Sequence, residues 1–186
     1  RLNEHGLRGG SLASLPLGGR RILFLGGSIT LGWGVSEQDT VEAQLEKMFS
    51  DAGSKGVQVL NAGIGNYNTE RYVSRFFTEL TDLQPTDIVV HYFLRDAEVL
   101  PPGGDNFILR HSELAVSLWI VYHRLFDKSG EEVLVEHYRK VYQQNAPGLL
   151  EMKHKLKELA DYGKSHGINI YLAMTPDVHN LVDYKF

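Results

Sequence analysis

Short, mostly apolar runs alternate along the chain with longer segments in which apolar residues recur every three or four positions. The runs lie at 22–25, 57–60, 87–93 and 168–174, and apolar runs of this length are typical of strands covered on both faces. The repeated order of strand, helix and strand predicts a parallel sheet with right-handed crossovers. We therefore expect a three-layer α/β/α fold in a single domain.

Helical spacing of apolar residues marks the segments between these runs. The first helix is predicted to begin with Asp39 as its N-cap, because Glu42 stands three positions later as in a capping box, and to end before Gly53. Its apolar stripe includes Val41 and Met48. Further stripes of the same kind lie at 73–80, 114–125, 134–142 and 149–160.

The two ends of the chain differ from its regular middle part. Residues 1–20 contain five glycines and no apolar periodicity, so we interpret them as an irregular lead-in to an α/β domain at 21–186. Only twelve residues follow the fourth strand, too few for a further strand and a covering helix. The chain begins with Arg1 instead of Met and has no recognisable signal peptide. We therefore expect a piece of a longer protein, whose fold continues beyond Phe186.

Composition excludes several classes of function. Of the 186 residues, 42% are hydrophobic and 23% charged, as in ordinary globular domains, and a net charge of −4 gives no reason to expect nucleic acid or an anionic membrane surface as a partner. No apolar run approaches the roughly 20 residues of a membrane span. Cysteine is absent, and the eight histidines show no metal-binding spacing, so the sequence predicts neither a metal nor another cofactor.

Polar residues follow each of the four predicted strands. Ser28 follows the first strand, the loop 61–69 the second, Arg95 and Asp96 the third, and the segment 176–179 the fourth. Because ligands of open parallel sheets bind at the carboxyl ends of the strands, these loops are expected to build one site.

The first of these loops, within the stretch RILFLGGSITLGWG, allows three interpretations of Ser28. The stretch matches neither glycine motif that binds nucleotide phosphates, which disfavours a phosphate cradle. An ordinary N-cap serine in a strand-to-helix turn is a second interpretation. A nucleophile is the third, since Gly26 and Gly27 would let the chain bend sharply and leave the hydroxyl exposed. Gly63 and Gly65 in the second loop would then free a backbone N–H for the oxyanion.

Taken together, the loops resemble the sequence blocks of the SGNH, or GDSL, hydrolase family. The first block of that family reads G-D-S-[IL]-T after strand one, and GGSIT at 26–30 stands in its place, followed by a similar GWG at 32–34. NAGIGNYNT at 61–69 matches the second block, and YFLRDAE at 92–98 stands in place of the third, which reads G-x-N-D or F-x-N-D. The lead-in RLNEHGLRG resembles the segment before block one in a bacterial branch.

The resemblance covers nearly the whole chain and implies a flavodoxin-like parallel fold with hydrolysis or transfer of an acyl ester. Ser28 would attack the carbonyl, and its own N–H together with one from the second block would hold the oxyanion. The implied partner is a small-molecule or carbohydrate ester, with no nucleic acid and no cofactor. Trp33 and Tyr67, in loops beside the site, are candidates for lining an acyl or sugar pocket, with Asp96 as a further substrate-binding residue.

Three positions depart from the family pattern. Gly27 stands where an Asp supports the turn. In the second block Gly65 comes one place early, so that Asn66 occupies the position of the oxyanion glycine. Arg95 replaces an asparagine that donates to the oxyanion, and one such donor typically contributes about 10²–10³ in rate. Arginine can also donate there, or it can pair with Asp96 in a structural role.

The general base is a fourth departure from the pattern, because the family carries it in a late D-x-x-H motif. This chain offers only the D-x-H spacing of Asp177 and His179. Either His179 is the base with Asp177 as its partner, or the motif lies beyond Phe186. His91, inside the third strand, is predicted to be a hydrogen-bonded core histidine. Two functions therefore stay open: a serine esterase or acyl transferase, and a related module that binds its ligand without catalysis.

Overall fold

The computed structural model describes residues 1–100, 112–114, 116–118, 121 and 131–176. Four strands lie in this part of the chain: β1 (Arg20–Gly26), β2 (Val57–Asn61), β3 (Asp87–Tyr92) and β4 (Asn169–Met174). Its α-helices are α1 (Ser28–Leu31), α2 (Val41–Asp51), α3 (Thr69–Arg75), α4 (Glu131–Val141) and α5 (Pro147–His166). None of the helices in these ranges is both long and apolar enough to cross a bilayer. The stripe predicted at 114–125 lies largely outside the described residues.

All four strands are parallel and lie in the order β2–β1–β3–β4. Leu23 of β1 pairs in register with Leu60 of β2 and with Ile88 of β3, and Ile88 pairs with Ile170 of β4. This register keeps apolar residues on a common face, because side chains alternate across a strand. The predicted parallel α/β sheet is confirmed, and its strand order is that of a flavodoxin-like fold.

The main hydrophobic core lies on one face of the sheet, beneath α3 and α5. Strand residues of this core that are fully or almost fully buried are Leu23, Leu25, Ile88 and Val90. The helical residues packed in the same cluster include Tyr72, Val73, Phe76 and Leu159. This packing fixes β1 and β3 side by side, so that the loops that follow them leave the sheet at one edge.

Helix α2 faces the sheet differently from the prediction. Its N-cap is Thr40 and not Asp39, since the Thr40 hydroxyl accepts a hydrogen bond of 3.3 Å from the backbone N–H three residues later. Of the predicted apolar stripe, Val41 and Met48 are exposed, whereas Glu42 is only 2% exposed. The predicted capping box does not form, because the Glu42 carboxyl is turned into the protein.

Residues before β1 form only isolated bridges, yet they are packed against the fold. Leu7 belongs to the buried core, and the N–H of Arg8 donates to the carbonyl of Asn61 at 3.0 Å. The Arg8 guanidinium donates to the carbonyls of Leu31 and Gly32 at 2.5 and 2.6 Å. The lead-in thereby supports the carboxyl end of α1, where carbonyls have no intrahelical partner.

Candidate functional site

The turn between β1 and α1 presents Ser28 at the surface. The strand ends at Gly26, and Ser28 is the first residue of α1 and is exposed. A Cβ on Gly26 would lie 2.8 Å from the carbonyl oxygen of His91 and 3.0 Å from Cβ of Thr30, so a side chain there would clash. Glycine is therefore required where β1 turns into the helix, and the sharp turn leaves the Ser28 hydroxyl accessible.

A cavity of about 150 Å³ lies beside Ser28 at the carboxyl edge of the sheet. Its wall is built by β3 and by the loops that follow β1, β2 and β3. The residues on this wall that matter chemically are Ser28, Asn66, Tyr67, His91, Arg95 and Asp96. The structure thus brings together residues of three separate sequence segments.

Asn66 adopts a left-handed backbone conformation, with φ of 61°. Glycine reaches this region without strain, and asparagine is one of the few other residues that visits it routinely. This explains why an asparagine is tolerated at a position where the SGNH sequence pattern has glycine. Asn66 is exposed and lines the cavity beside Ser28, whereas Gly65 does not reach the wall.

Asn61 links the loop after β2 to α1 and α2. Its side-chain amide donates to the carbonyl of Thr30 at 2.7 Å and to the Glu42 carboxyl at 2.9 Å. Its side-chain oxygen accepts a hydrogen bond of 3.0 Å from the N–H of Gly63. Burial raises the pKa of Glu42 to about 7, and one oxygen of this carboxyl has no partner in the described part of the chain. The network fixes the second loop against the helix that carries Ser28.

Asp96 is a buried residue in the wall of the cavity, with 4% of its surface exposed. One of its oxygens accepts from the N–H of Phe93 at 3.1 Å and from the hydroxyl of Tyr72 at 3.4 Å. Its other oxygen lies 3.9 Å from the point where a Cβ on Gly27 would stand. Burial raises the pKa of Asp96 to about 7, so this group is largely protonated in mildly acidic solution.

Arg95 lies beside Asp96 but extends toward solvent, with 55% of its side chain exposed. Its Nε donates to the carboxylate of Glu98 at 3.4 Å. The other oxygen of Glu98 contacts Nε2 of His137 at 3.0 Å. The sequence left open a pairing of Arg95 with Asp96. Among the ion pairs of the described residues, the partner of Arg95 is Glu98 and not Asp96.

His91 also reaches this cavity, a position that sequence reasoning missed. Its Nε2 is 2.5 Å from the hydroxyl of Thr175, which confirms the predicted hydrogen bond, and its ring meets Phe24 edge-on. Burial lowers the pKa of His91, and its Nδ1 has no partner within the described ranges. The register of the sheet explains this position, because His91 pairs with Gly26 at the end of β1 and so lies next to the turn that carries Ser28.

The other residues predicted for the site lie elsewhere or outside the described part of the chain. Trp33 is 80% exposed and lines a separate surface depression, directly after Gly32 with its left-handed φ of 71°. Trp33 is not among the described residues that line the Ser28 cavity. Asp177 and His179 lie outside the described residues. Among the residues that are described, no group of three or more His, Asp or Glu is arranged to hold a metal ion.

Comparison with known proteins finds similarity in fold to solved structures. No family model matches it, and no curated protein sequence matches it significantly. The solved structure of TesA superimposes with a TM-score of 0.50 and 17% identity, covering 82% of this chain and 59% of that one. A catalytic mutant of Axe2, an acetylxylan esterase from Geobacillus stearothermophilus, gives 0.50 and 19%, covering 85% and 60%. The chain spans about three fifths of the length of these structures, with which it shares its fold.

Proposed function

We propose that this protein, which shares its fold with TesA and with an acetylxylan esterase, is a serine ester hydrolase of the SGNH type. The observation that carries the proposal is the exposed Ser28 at the sharp turn after β1, in a cavity whose wall also includes Asn66 and Arg95. These are the residues that stand in the three sequence blocks of that family, in the same order along the chain.

In the proposed reaction Ser28 Oγ attacks the ester carbonyl and passes its proton to a general base. The carbonyl oxygen becomes an oxyanion, and the C–O bond to the alcohol then breaks as the base returns the proton to the leaving oxygen. Water attacks the resulting acyl-serine, with its proton taken by the same base. The bond from the acyl carbon to Ser28 Oγ then breaks, the base returns the proton to Oγ, and the acid is released. Each step needs one proton acceptor and a set of oxyanion donors.

The N–H of Ser28 is the first proposed oxyanion donor, since the first N–H groups of a helix have no intrahelical partner. The N–H of Asn66 is the second, supported by the position of this residue on the cavity wall. Gly65 and Arg95 remain predicted alternatives for the further donor, although the Arg95 side chain is half exposed and its Nε is held by Glu98.

The general base is either the late D-x-x-H motif of the family or, within this chain, His179 with Asp177. Thr175 directly follows β4 and accepts or donates a hydrogen bond with His91 on the cavity wall. Thr175 therefore lies beside the site, and Asp177 follows it two positions later in the sequence.

The proposed substrate is a small ester, such as an O-acetyl group on an alcohol or a carbohydrate. A cavity of about 150 Å³ suits a short acyl group. One of the structures with the same fold is named an acetylxylan esterase, which supports a carbohydrate ester as the first class to test.

The test is hydrolysis of 4-nitrophenyl acetate by the full-length protein. We expect turnover that is lost in Ser28→Ala, because no other group replaces the attacking oxygen. Ser54→Ala, at an exposed serine away from the cavity, is the matched control and should retain wild-type activity. Activity that survives in Ser28→Ala would exclude Ser28 as the nucleophile.

A binding module without catalysis is the second candidate, favoured by one observation. Arg95, which stands in place of the donor asparagine, extends toward solvent and pairs with Glu98. If the full-length protein binds an ester or a sugar but releases no product, this second function is the correct one.

A further inference from the structure

Arg95 is the cationic side chain on the wall of the Ser28 cavity, among the residues that the structure describes. Among the described residues on the cavity wall, Arg95 is the only side chain with a permanent positive charge, and it is half exposed. Asp96 on the same wall is buried, and burial raises its pKa to about 7, so it carries little negative charge in mildly acidic solution. Burial also lowers the pKa of His91, which favours its neutral form. Arg95 is therefore the one permanent cation that the described residues bring to the wall of this cavity, and Glu98 offsets part of its charge.

Among the described residues, the Arg95 guanidinium contacts an acceptor through its Nε. Glu98 contacts its Nε at 3.4 Å, while the terminal amino groups have no acceptor within the described ranges. Glu98 is shared, since its second oxygen lies 3.0 Å from Nε2 of His137. A guanidinium oriented in this way can offer its two terminal amino groups to a carboxylate as a bidentate pair.

The neighbouring cavity limits how far an anionic substrate can extend. This second cavity, of about 300 Å³, shares Asn68 and Asp96 with the first. Its wall also carries the carboxylates of Glu70, Glu98 and Glu151, which repel an anion. A negative group on the substrate is therefore favoured in the cavity that holds Ser28 and Arg95 and disfavoured in the second cavity.

We propose that Arg95 is a specificity-determining residue that binds an anionic group of the substrate, so that the preferred substrates are short esters with a carboxylate near the reacting carbonyl. This inference rests on the proposed esterase function. It differs from an oxyanion role for Arg95, because binding a substrate carboxylate discriminates between anionic and neutral esters, whereas oxyanion stabilisation accelerates both equally.

The experiment compares kcat/KM for matched anionic and neutral esters with the full-length protein. The first pair is mono-4-nitrophenyl succinate, which carries a carboxylate on its acyl group, and the neutral 4-nitrophenyl acetate. The pair 4-acetoxybenzoate and its methyl ester places the carboxylate on the alcohol side. We expect a preference of about tenfold or more for the anionic ester in one pair, the size of a charge-assisted hydrogen bond.

Arg95→Gln should abolish this preference mainly by raising KM for the anionic ester, so that kcat/KM falls more for the anionic ester than for the neutral one. Arg139→Gln, at an exposed arginine of α4, is the matched control and should keep the preference. An equal loss for both esters would overturn the proposal and assign Arg95 to the oxyanion. Absence of any preference in the wild type would overturn it as well.

A binding measurement separates this proposal from the esterase function. Calorimetry with succinamate and with the neutral succinamide needs no turnover, and we expect only succinamate to bind measurably. The difference should vanish in Arg95→Gln and shrink in about 0.5 M salt, since an exposed charge is screened. A protein that hydrolyses no ester through Ser28 but retains this difference would refute the esterase function alone. Equal binding of both compounds would refute the role of Arg95.

Discussion

Replacing Gly63 by alanine tests whether the second loop holds the helix that carries Ser28. A Cβ on Gly63 would lie 2.7 Å from the carbonyl carbon of Thr30, 2.8 Å from Cα of Leu31, and nearer still to the Leu31 nitrogen. These atoms are backbone, so no side chain can rotate to make room. Ordinary contact begins at 3.4 Å, so α1 must retreat by about 1 Å.

Such a displacement has two measurable consequences. Overpacking of this kind typically costs about 1–3 kcal/mol in the free energy of unfolding. A nucleophile moved by about 1 Å loses roughly 100-fold in kcat/KM, because the attack geometry is lost. Urea denaturation followed by circular dichroism measures the first, and hydrolysis of 4-nitrophenyl acetate measures the second.

Gly65 provides the control two residues further along the same loop. A Cβ on Gly65 meets no atom within 4 Å, and its φ does not lie in the left-handed region. Gly65→Ala should therefore change the free energy of unfolding by less than about 0.5 kcal/mol. If Gly63→Ala proves as stable and as active as Gly65→Ala, the close packing of this loop on α1 is refuted.

Two further predictions concern the buried polar groups behind the site. Asp96 has a pKa of about 7 when folded against an ordinary 3.8, so its proton stabilises the folded state in acid and this contribution is lost as the pH rises through 7. The stability of the wild type should therefore fall relative to that of Asp96→Asn by about 2–3 kcal/mol between about pH 5 and pH 8.5, as measured by urea titration. A difference in free energy of unfolding between the two proteins that does not change with pH would contradict the buried state of Asp96. Asn61→Ala removes hydrogen bonds to Thr30, Glu42 and Gly63 and should cost about 2–4 kcal/mol in the same assay, whereas Glu42→Gln keeps an acceptor for Asn61 and should cost less than about 1 kcal/mol. Equal losses in these two variants would show that Asn61 is not the centre of the network.

The sheet could be predicted from the sequence because each of its strands is marked by neighbouring residues in the chain. Each strand is a short apolar run bounded by turn residues, and the order of runs and helical stripes determines a parallel topology. The orientation of α2 could not be predicted in this way. Its apolar stripe favoured burial of Val41 and Met48, but these residues are 52% and 66% exposed. Glu42 is buried instead, because Asn61 of the neighbouring strand provides a hydrogen bond to its carboxyl.

The candidate site was partly predictable for a similar reason. Ser28, Asn66 and Arg95 follow strand ends, so a parallel sheet alone brings them to one edge. Trp33 also follows β1, but it lines a separate surface depression, directly after the left-handed Gly32. His91 lies inside a strand, where apolar periodicity indicates only burial, and its place beside the cavity emerges from the register of β1 and β3.

The central claim is that Ser28 is the nucleophile, and covalent labelling tests it most directly. A fluorophosphonate ester forms a bond from phosphorus to an activated serine oxygen and releases fluoride. The full-length protein should gain one phosphonyl group by intact mass and lose esterase activity in parallel, with peptide mapping placing the group on Ser28 and with no label in Ser28→Ala. Labelling of a different serine, or undiminished hydrolysis by fully labelled protein, would contradict the account.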